Sequence, residues 1–344
     1  MRIAIYGAGS LGTVIGAFIE KNASSKGLDI DLELFNRNKA HVEALNKNGA
    51  QIVGELEFVQ KVKAYLPEQI SGIFDYIILM TKQLDNEKVV RLLETHLSKD
   101  GAICTVQNGL PEKLIADIVG PDRTVGCTIG WGATMLGPGV SKLTSSADRL
   151  CCDIGTMDER ANKHLFNIKE VLELMGPVNI KDNFLGARWS KLLINASFSG
   201  MSAVIGDSFG AVCDNKKARS CAQAVIKECI DVSRALGVKI ESVQGKDIVK
   251  LFDYNNKLKK YVAFMLIPIA MKRHRNIMAG MLIDIRNNKP CEVDAINGIV
   301  CQVGKEVNVK TPYCDKIVEL IHGFESGKGS PSYENLKSFD GLNL

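Results

Sequence analysis

The chain has 344 residues, 46% hydrophobic and 24% charged, with Lys+Arg 43 against Asp+Glu 39. At about 150 residues per domain that length predicts two domains, and the composition excludes disordered, collagen-like and coiled-coil readings of the whole chain. The formal net charge of +4 is too small for a protein that must neutralise many phosphates, so nucleic acid is not an expected partner.

No run of about 18 apolar residues is present, which leaves no candidate membrane span. Arg2 followed by the uncharged residues 3–19 has the outline of a secretory signal. Gly7, Gly9 and Gly12 make it a poor one, and no small-residue cleavage site precedes Glu20, so a cytoplasmic location is expected. Ten cysteines in a chain this long read as reduced, mostly buried thiols. There is no Cys-x-x-Cys, and none of the five histidines pairs with another at i, i+4, so no metal site is expected.

In chain order, residues 3–6 form a short apolar run ended by glycines, and residues 11–19 continue as an apolar helix. A second strand is predicted over 32–35, a helix over 39–48, a third strand over 77–81, a helix over 86–97 and a fourth strand over 102–106. Short apolar strands alternating with helices predict an α/β fold, its parallel sheet covered on both faces. Beyond about residue 180 the pattern is helical, over 185–204, 216–236, 244–263 and 291–307, so the second half is mostly α. A Gly-Pro pair at 176 and 177 marks the boundary. The predicted division is 1–180, 181–325 and a flexible tail over 326–344, which opens with a Gly-, Ser- and Pro-containing stretch. No internal repeat is present.

Gly7-Ala8-Gly9-Ser10-Leu11-Gly12 is a G-x-G-x-x-G between a predicted strand and a predicted helix, the context of an N-terminal Rossmann dinucleotide-binding domain. Gly7 permits the tight turn, Gly9 lets a pyrophosphate approach the backbone, and Gly12 lets helix and strand pack closely. Free N–H groups at the helix start face the anion. The second strand ends Leu34-Phe35-Asn36-Arg37, without the carboxylate that binds the ribose 2′-hydroxyl of NAD. Arg37 offers a planar donor fork suited to a 2′-phosphate, which predicts NADPH/NADP+; the alternative for Arg37 is a solvated surface charge.

At helical spacing Arg188, Lys191, Asn195 and Ser199 share one face, and Trp189, Leu192, Leu193 and Ala196 another. Alone, the first set reads as the solvent side of a helix. Taken with Thr81-Lys82, Gln107-Asn108-Gly109, Trp189-Ser190-Lys191, the run from Glu292 to Gly298 (Glu-Val-Asp-Ala-Ile-Asn-Gly) and Thr311-Pro312, the glycine motif makes a chain that resembles the ketopantoate reductase family over nearly its whole length. The resemblance implies a Rossmann domain followed by a mostly α-helical catalytic domain, with NADPH and a 2-oxo acid between them.

By resemblance Lys191 is the general acid. Glu292 accepts from a substrate hydroxyl and sets the lysine's position and proton affinity. Asn108 and Asn195 are neutral donors near the lysine and substrate, Asn108 also near the cofactor, and Ser199 lines the substrate side. Lys82 lies near the adenosine phosphate or the cleft. The implied reaction is NADPH-dependent reduction of 2-dehydropantoate (ketopantoate) to (R)-pantoate in pantothenate and coenzyme A biosynthesis, by a monomer or homodimer.

Two positions depart from the family pattern: Gly280 stands where a serine is common before Met-Leu, and Ser199 where an asparagine is common. Both touch substrate selection and leave open another 2-oxo acid or an imine. A non-catalytic NADPH sensor is the reading from a different class. The basic run Lys272-Arg273-His274-Arg275 is either a replacement partner for the substrate carboxylate or a solvated helix face.

Overall fold

The computed structural model describes residues 1–158, 163–243 and 245–342. Its contacts divide the chain into one unit of Met1–Gln107 with Pro111–Phe184 and a second of Asn108–Leu110 with Leu185–Leu344.

The first unit runs β1 (Arg2–Tyr6), α1 (Ser10–Lys26), β2 (Asp31–Phe35), α2 (Lys39–Asn48), β3 (Ala50–Gly54), β4 (Phe58–Gln60), β5 (Lys63–Tyr65), β6 (Phe74–Leu79), α3 (Asn86–Glu94), β7 (Leu97–Thr105), α4 (Glu112–Val119), β8 (Thr124–Ile129), β9 (Ala133–Gly137), β10 (Val140–Leu143), β11 (Cys152–Gly155), α5 (Lys163–Leu172) and β12 (Val178–Ile180). Eight of these strands form one sheet in the order β12-β11-β8-β7-β6-β1-β2-β5. Pairings from β5 to β8 are parallel, and β11 lies antiparallel to β8. Parallel strands need crossovers that cover both faces, and β1 shows the consequence residue by residue. Ile3 and Ile5 enter the apolar cluster that contains α1, while Ala4 and Tyr6 enter the cluster on the other face. Chain order reverses at β1, which has β2 on one side and β6 on the other. The carboxyl ends of β1 and β6 therefore flank the point where open α/β sheets of this Rossmann-like kind bind ligands.

Helix α1 is buried on all sides from Gly12 to Ile19, as a helix apolar all round must be. A second sheet, β4-β3-β10-β9, packs on it. The sequence pattern did not predict this sheet. Its strands have three to five residues, and β4 and β9 contain no fully buried position, so no apolar run announces them.

The second unit is helical: α6 (Phe184–Ile194), α7 (Gly200–Ile205), α8 (Phe209–Asp214), α9 (Lys216–Ala235), α10 (Ile248–Phe252), α11 (Lys257–Ala270), α12 (Gly280–Arg286), α13 (Ile299–Glu306) and α14 (Pro312–Glu325). Helix α9 touches α7, α8, α10, α11, α13 and α14. It carries Glu228, wholly buried, whose carboxylate accepts from the backbone N–H groups of Tyr313 at 2.7 Å and Cys314 at 2.9 Å. Those are first-turn donors of α14 that the helix cannot satisfy itself, and Pro312 before them has no N–H. Burial pushes Glu228 up to about 7 even though the two N–H groups pull it down.

Three expectations for this unit are corrected. The single helix predicted over 244–263 is two helices, with Gln244 outside the described residues. The side chains of Asp247 and Asn256 accept from the N–H groups of Lys250 and Lys259, starting α10 and α11 separately. The tail predicted to be flexible over 326–344 is packed as far as it is described. Leu336 and Phe339 are 5% and 4% exposed, and the backbone N–H of Ser332 and the amide of Asn335 donate to the carbonyl of Val204. Two apolar anchors inside a polar string outweigh its average composition. Finally, Arg188, grouped with Lys191 on a polar face, is buried.

All ten cysteines are free thiols, nine of them buried. Among the described residues no helix is long and apolar enough to cross a membrane.

Candidate active site

The turn after β1 is dictated by close packing. Gly7 has φ +106°, and a Cβ there would stand 2.5 Å from the backbone N of Thr81 and 2.6 Å from the carbonyl carbon of Met80. No side chain fits between the ends of β1 and β6. Over Gly9 a Cβ would meet nothing within 4 Å, and Gly9 begins α1 without any side chain capping the helix. The first N–H groups of α1 therefore border open space beside a backbone that nothing crowds, the arrangement that receives an anionic group. At Gly12 a Cβ would lie 3.1 Å from the carbonyl oxygen of Gly7 and 3.2 Å from Ile5 Cγ2. Ser10 Oγ donates to the carbonyl of Ala133 at 3.0 Å, tying the loop to β9. Ala8 is buried and Leu11 half-buried.

Residues outside the motif hold it. Asn36, where an NAD-type site places its carboxylate, donates from Nδ2 to the carbonyl of Ala8 at 2.8 Å and accepts the N–H of Asn38 on Oδ1 at 2.8 Å. His41 is wholly buried. Its Nδ1 accepts from the backbone N–H of Gly139 at 2.9 Å, which fixes the proton on Nε2, 3.1 Å from both the carbonyl of Ala8 and Thr13 Oγ1. Burial pulls His41 below the ordinary imidazole range, against the hydrogen bond to Ala8. Arg37 follows Asn36 and is exposed.

At the end of β6, Thr81 and the exposed Lys82 lead into a short turn. Gln107, after β7, fastens that end: Nε2 donates to the carbonyl of Thr81 and to Asn86 Oδ1, both at 2.8 Å, while Oε1 accepts from Thr105 Oγ1 at 3.0 Å. Asn108, the next residue, is half-buried and belongs with the second unit.

In the second unit, Trp189, Leu192, Leu193 and Ala196 are buried, and Lys191, Asn195 and Ser199 are half-buried on the same helical run. That run is not a plain α-helix. Between α6 and α7 lies a π-helical turn, Asn195–Ser199, so α periodicity holds from Lys191 to Asn195 but not on to Ser199. A second π turn, Asp294–Gly298, precedes α13, and Glu292 stands at its entrance, half-buried, its carbonyl accepting from the N–H of Ile296 at 3.1 Å. Wide turns of this kind are rare and cluster at functional sites. The two are in contact and joined by a buried bond: Asn297 Nδ2 donates to the carbonyl of Ala196 at 3.0 Å. Asn297 Oδ1 is buried with no hydrogen-bond partner. Gly200 makes room for this amide, since a Cβ there would stand 2.9 Å from Oδ1.

Gly280 is exposed at the start of α12, and a Cβ on it would meet nothing within 4 Å. Of the basic run, Arg275 pairs with Asp214, while Lys272 and Arg273 are exposed.

Two family models match most of the chain. Ketopantoate reductase PanE/ApbA covers residues 3–155, and its C-terminal counterpart covers residues 183–325. The chain belongs to the ketopantoate reductase family. It is similar to the 2-dehydropantoate 2-reductase of Pyrococcus horikoshii, 27% identical over 334 residues that span 96% of this chain and 100% of that protein. The 2-dehydropantoate 2-reductase of Lactococcus lactis is 26% identical over 333 residues, 94% of this chain and 98% of that one. Among solved structures, a PanE/ApbA family ketopantoate reductase from Ralstonia eutropha superposes with a TM-score of 0.79 at 20% identity, covering 95% of this chain and 99% of that chain. The complex of D-mandelate dehydrogenase with NADH and anilino(oxo)acetate gives 0.78 at 22% identity, with 95% and 99% covered.

In this member of the ketopantoate reductase family, the residues singled out from sequence fall into two sets. Residues 7–12, Arg37 and Lys82 belong to the sheet unit. Asn108, Lys191, Asn195, Ser199 and Glu292 belong to the helical unit. The sequence reading assigned no role to Asn36, His41, Asn297 or Gly200. Only Asn297 had a local signal, its place inside the Glu-to-Gly block.

Proposed function

We propose that the protein is an NADPH-dependent 2-oxo acid reductase that converts 2-dehydropantoate to (R)-pantoate, supplying pantothenate and coenzyme A biosynthesis. The observation that carries this reading is the pair of π turns, with Lys191 one helical turn before the first, Glu292 at the entrance of the second, and Asn297 bonding one to the other.

NADPH held at the glycine turn would supply the hydride that reaches the substrate's carbonyl carbon. Residues 7–12 fit its pyrophosphate, because Gly9 leaves the backbone open and α1 begins uncapped. Arg37 would hold the 2′-phosphate with its planar fork; the neighbouring Asn36 is committed to Ala8 and brings no carboxylate. Lys82 adds a cation at the end of β6. Lys191 holds a proton at Nζ for the carbonyl oxygen, a transfer commonly worth about 10² to 10⁴ in rate, and its charge stabilises the developing alkoxide. Glu292 accepts from the substrate hydroxyl and favours the protonated lysine. The amides of Asn108 and Asn195, with the Ser199 hydroxyl, add hydrogen bonds without another charge to desolvate.

A second reading, reduction of a different 2-oxo acid, is favoured by Gly280, where open space stands in place of a serine hydroxyl. The test follows NADPH oxidation with ketopantoate and a panel of other 2-oxo acids, running Lys191→Ala beside the parent. Turnover of ketopantoate that falls at least about 100-fold in the variant, with NADPH affinity unchanged, is the expected result. Full activity in the variant would remove Lys191 from its role, and preference for another acid would establish the second reading.

A further inference from the structure

The carbonyl of Ala8, inside the glycine turn, is held by three side chains. Asn36 Nδ2 donates to it at 2.8 Å, the N–H at His41 Nε2 lies 3.1 Å from it, and the Thr13 hydroxyl donates at 3.3 Å. Nε2 is also 3.1 Å from Thr13 Oγ1, so one imidazole N–H serves the carbonyl directly and through the hydroxyl. His41 and Thr13 are wholly buried, which places this oxygen on the inner side of the turn, while the space over Gly9 is open. Asn36 also accepts the N–H of Asn38, whose side chain starts α2 by accepting the N–H of His41. A carbonyl oxygen has two lone pairs, so three donors exceed what its burial alone requires.

What the three donors fix is the orientation of the Ala8–Gly9 peptide. Rotated the other way, the carbonyl would bring its negative end to the open side of the turn, where the first N–H groups of α1 receive an anionic group. The ring that does most of the holding is itself set from outside the turn. Gly139, in the hairpin between β9 and β10, donates its N–H to His41 Nδ1 at 2.9 Å. That hairpin is pressed against α2, since a Cβ at Gly139 would stand 3.1 Å from Ala44 Cβ, and its Gly139 carbonyl accepts from the N–H of Gln51 on β3 at 2.9 Å. Burial pulls His41 below the ordinary imidazole range, which favours the neutral ring, the form in which Nδ1 accepts while Nε2 donates.

We infer that His41 is a positioning residue of the nucleotide site: through Ala8 it holds the glycine turn so that N–H groups, and not a carbonyl, face the cofactor's pyrophosphate, with the second sheet as its support. This rests on the reading that the glycine turn holds NADPH. The sheet β4-β3-β10-β9 thereby has a task in the site. Its hairpin supplies the N–H that selects the tautomer of His41, and its strand β9 accepts from Ser10 through the carbonyl of Ala133.

Two substitutions divide the two bonds of the ring. An asparagine amide reaches about as far as Nδ1 and a glutamine amide about as far as Nε2, so His41→Asn keeps an acceptor for Gly139 and loses the donor to Ala8, while His41→Gln does the reverse. Fluorescence titration of the full chain with NADPH and with NADH, beside thermal unfolding, tests the inference. Each variant gives up one buried bond, so the two should melt lower by similar amounts. NADPH affinity should fall roughly tenfold in His41→Asn, the scale of one buried hydrogen bond, and stay within about twofold of the parent in His41→Gln. NADH should lose as much as NADPH, because the pyrophosphate is common to both. Thr13→Val keeps the branched shape, removes the relaying hydroxyl and should weaken both nucleotides about threefold. Unchanged affinity in His41→Asn, or equal losses in His41→Asn and His41→Gln, overturns the inference and leaves His41 as packing between α1 and α2. Should the ring variants not fold, unchanged affinity in Thr13→Val overturns it. A parent that binds neither nucleotide overturns the reading of the glycine turn itself, and the inference with it.

Discussion

Replacing Gly200 by alanine would place a methyl group where the two π turns meet. The backbone there is helical, φ −60° and ψ −53°, so alanine strains nothing and by chain entropy alone would stabilise by about 0.4–1 kcal/mol. Its Cβ would stand 2.9 Å from Asn297 Oδ1, 3.1 Å from Nδ2 and 3.2 Å from Ile317 Cγ2. Asn297 and Ile317 are both wholly buried, so neither moves aside freely. Displacing the amide weakens its bond to Ala196 and leaves a second buried polar atom short of a partner. Overpacking costs about 1–3 kcal/mol and an unpaired buried group a similar amount, which leaves a net loss of about 2 kcal/mol, or roughly 4–8 °C in melting temperature for a unit of this size. Because Asn195 opens the displaced turn and Lys191 lies one turn before it, kcat should fall about tenfold with the NADPH dissociation constant unchanged. Thermal unfolding and steady-state kinetics on the parent, Gly200→Ala, Asn297→Ala and the double variant read both effects. With the amide gone, Gly200→Ala should become neutral or stabilising, a coupling of about 1–3 kcal/mol. A melting temperature that rises in Gly200→Ala alone would refute the wedge and show that helix propensity decides the site.

Three further outcomes are expected. Glu228 titrates higher in the folded chain, at about 7, than in the unfolded chain, near 4.5, so its contribution to stability is complete below pH 4.5 and is lost as pH rises through 7. At 1.36 kcal/mol per unit that is about 3 kcal/mol. Denaturant unfolding of Glu228→Gln beside the parent should show the variant gaining on the parent by about that much across the window, and a pH-independent difference would remove Glu228 as the cause. Arg37→Ala should weaken NADPH at least tenfold and leave NADH nearly unchanged, the loss of a charge-assisted fork; equal losses for both cofactors would remove the 2′-phosphate assignment. Gly280→Ser adds a hydroxyl into open space and should lower KM for ketopantoate severalfold at unchanged melting temperature. A higher KM would place that hydroxyl against the substrate rather than toward it.

The four central strands of the parallel sheet, β2, β1, β6 and β7, were legible because each contains a short apolar run bounded by glycine or polar turns, whereas β5 and β8 were not predicted; the glycine turn was legible from the spacing of its glycines, of which Gly7 and Gly12 are required by close packing. The second sheet was not legible, since β4 and β9 bury no residue and take their place from packing on α1. Asn256 shows the same limit differently: within an otherwise helical composition, one side chain that captures the Lys259 N–H starts a new helix. The packed tail depends on Leu336 and Phe339 finding a surface made by residues far earlier in the chain. His41 carries no motif at all. Its role exists only because α2, Ala8 and Gly139 meet in space, and a pattern along the chain cannot report such a meeting.

The π turns bear most directly on the proposed chemistry. Each inserts a residue into a helix and sacrifices regular hydrogen bonding, and the bond between them leaves Asn297 Oδ1 buried and unpartnered. Taken only as packing, this is unfavourable, since an apolar side chain opposite an alanine at position 200 would fill the same space without an orphaned acceptor. What the arrangement does achieve is registration. Asn195 opens one wide turn, Glu292 lies two residues before the other, and a rigid amide fixes the spacing between them. Proton transfer is sensitive to displacements of well under an ångström, so a stability cost at this junction is the cost of holding the proposed acid and carboxylate helices in one relative position. Local departures from regular structure are expected where function demands them, and by that reasoning the effect of Asn297→Ala should fall more heavily on kcat than on melting temperature.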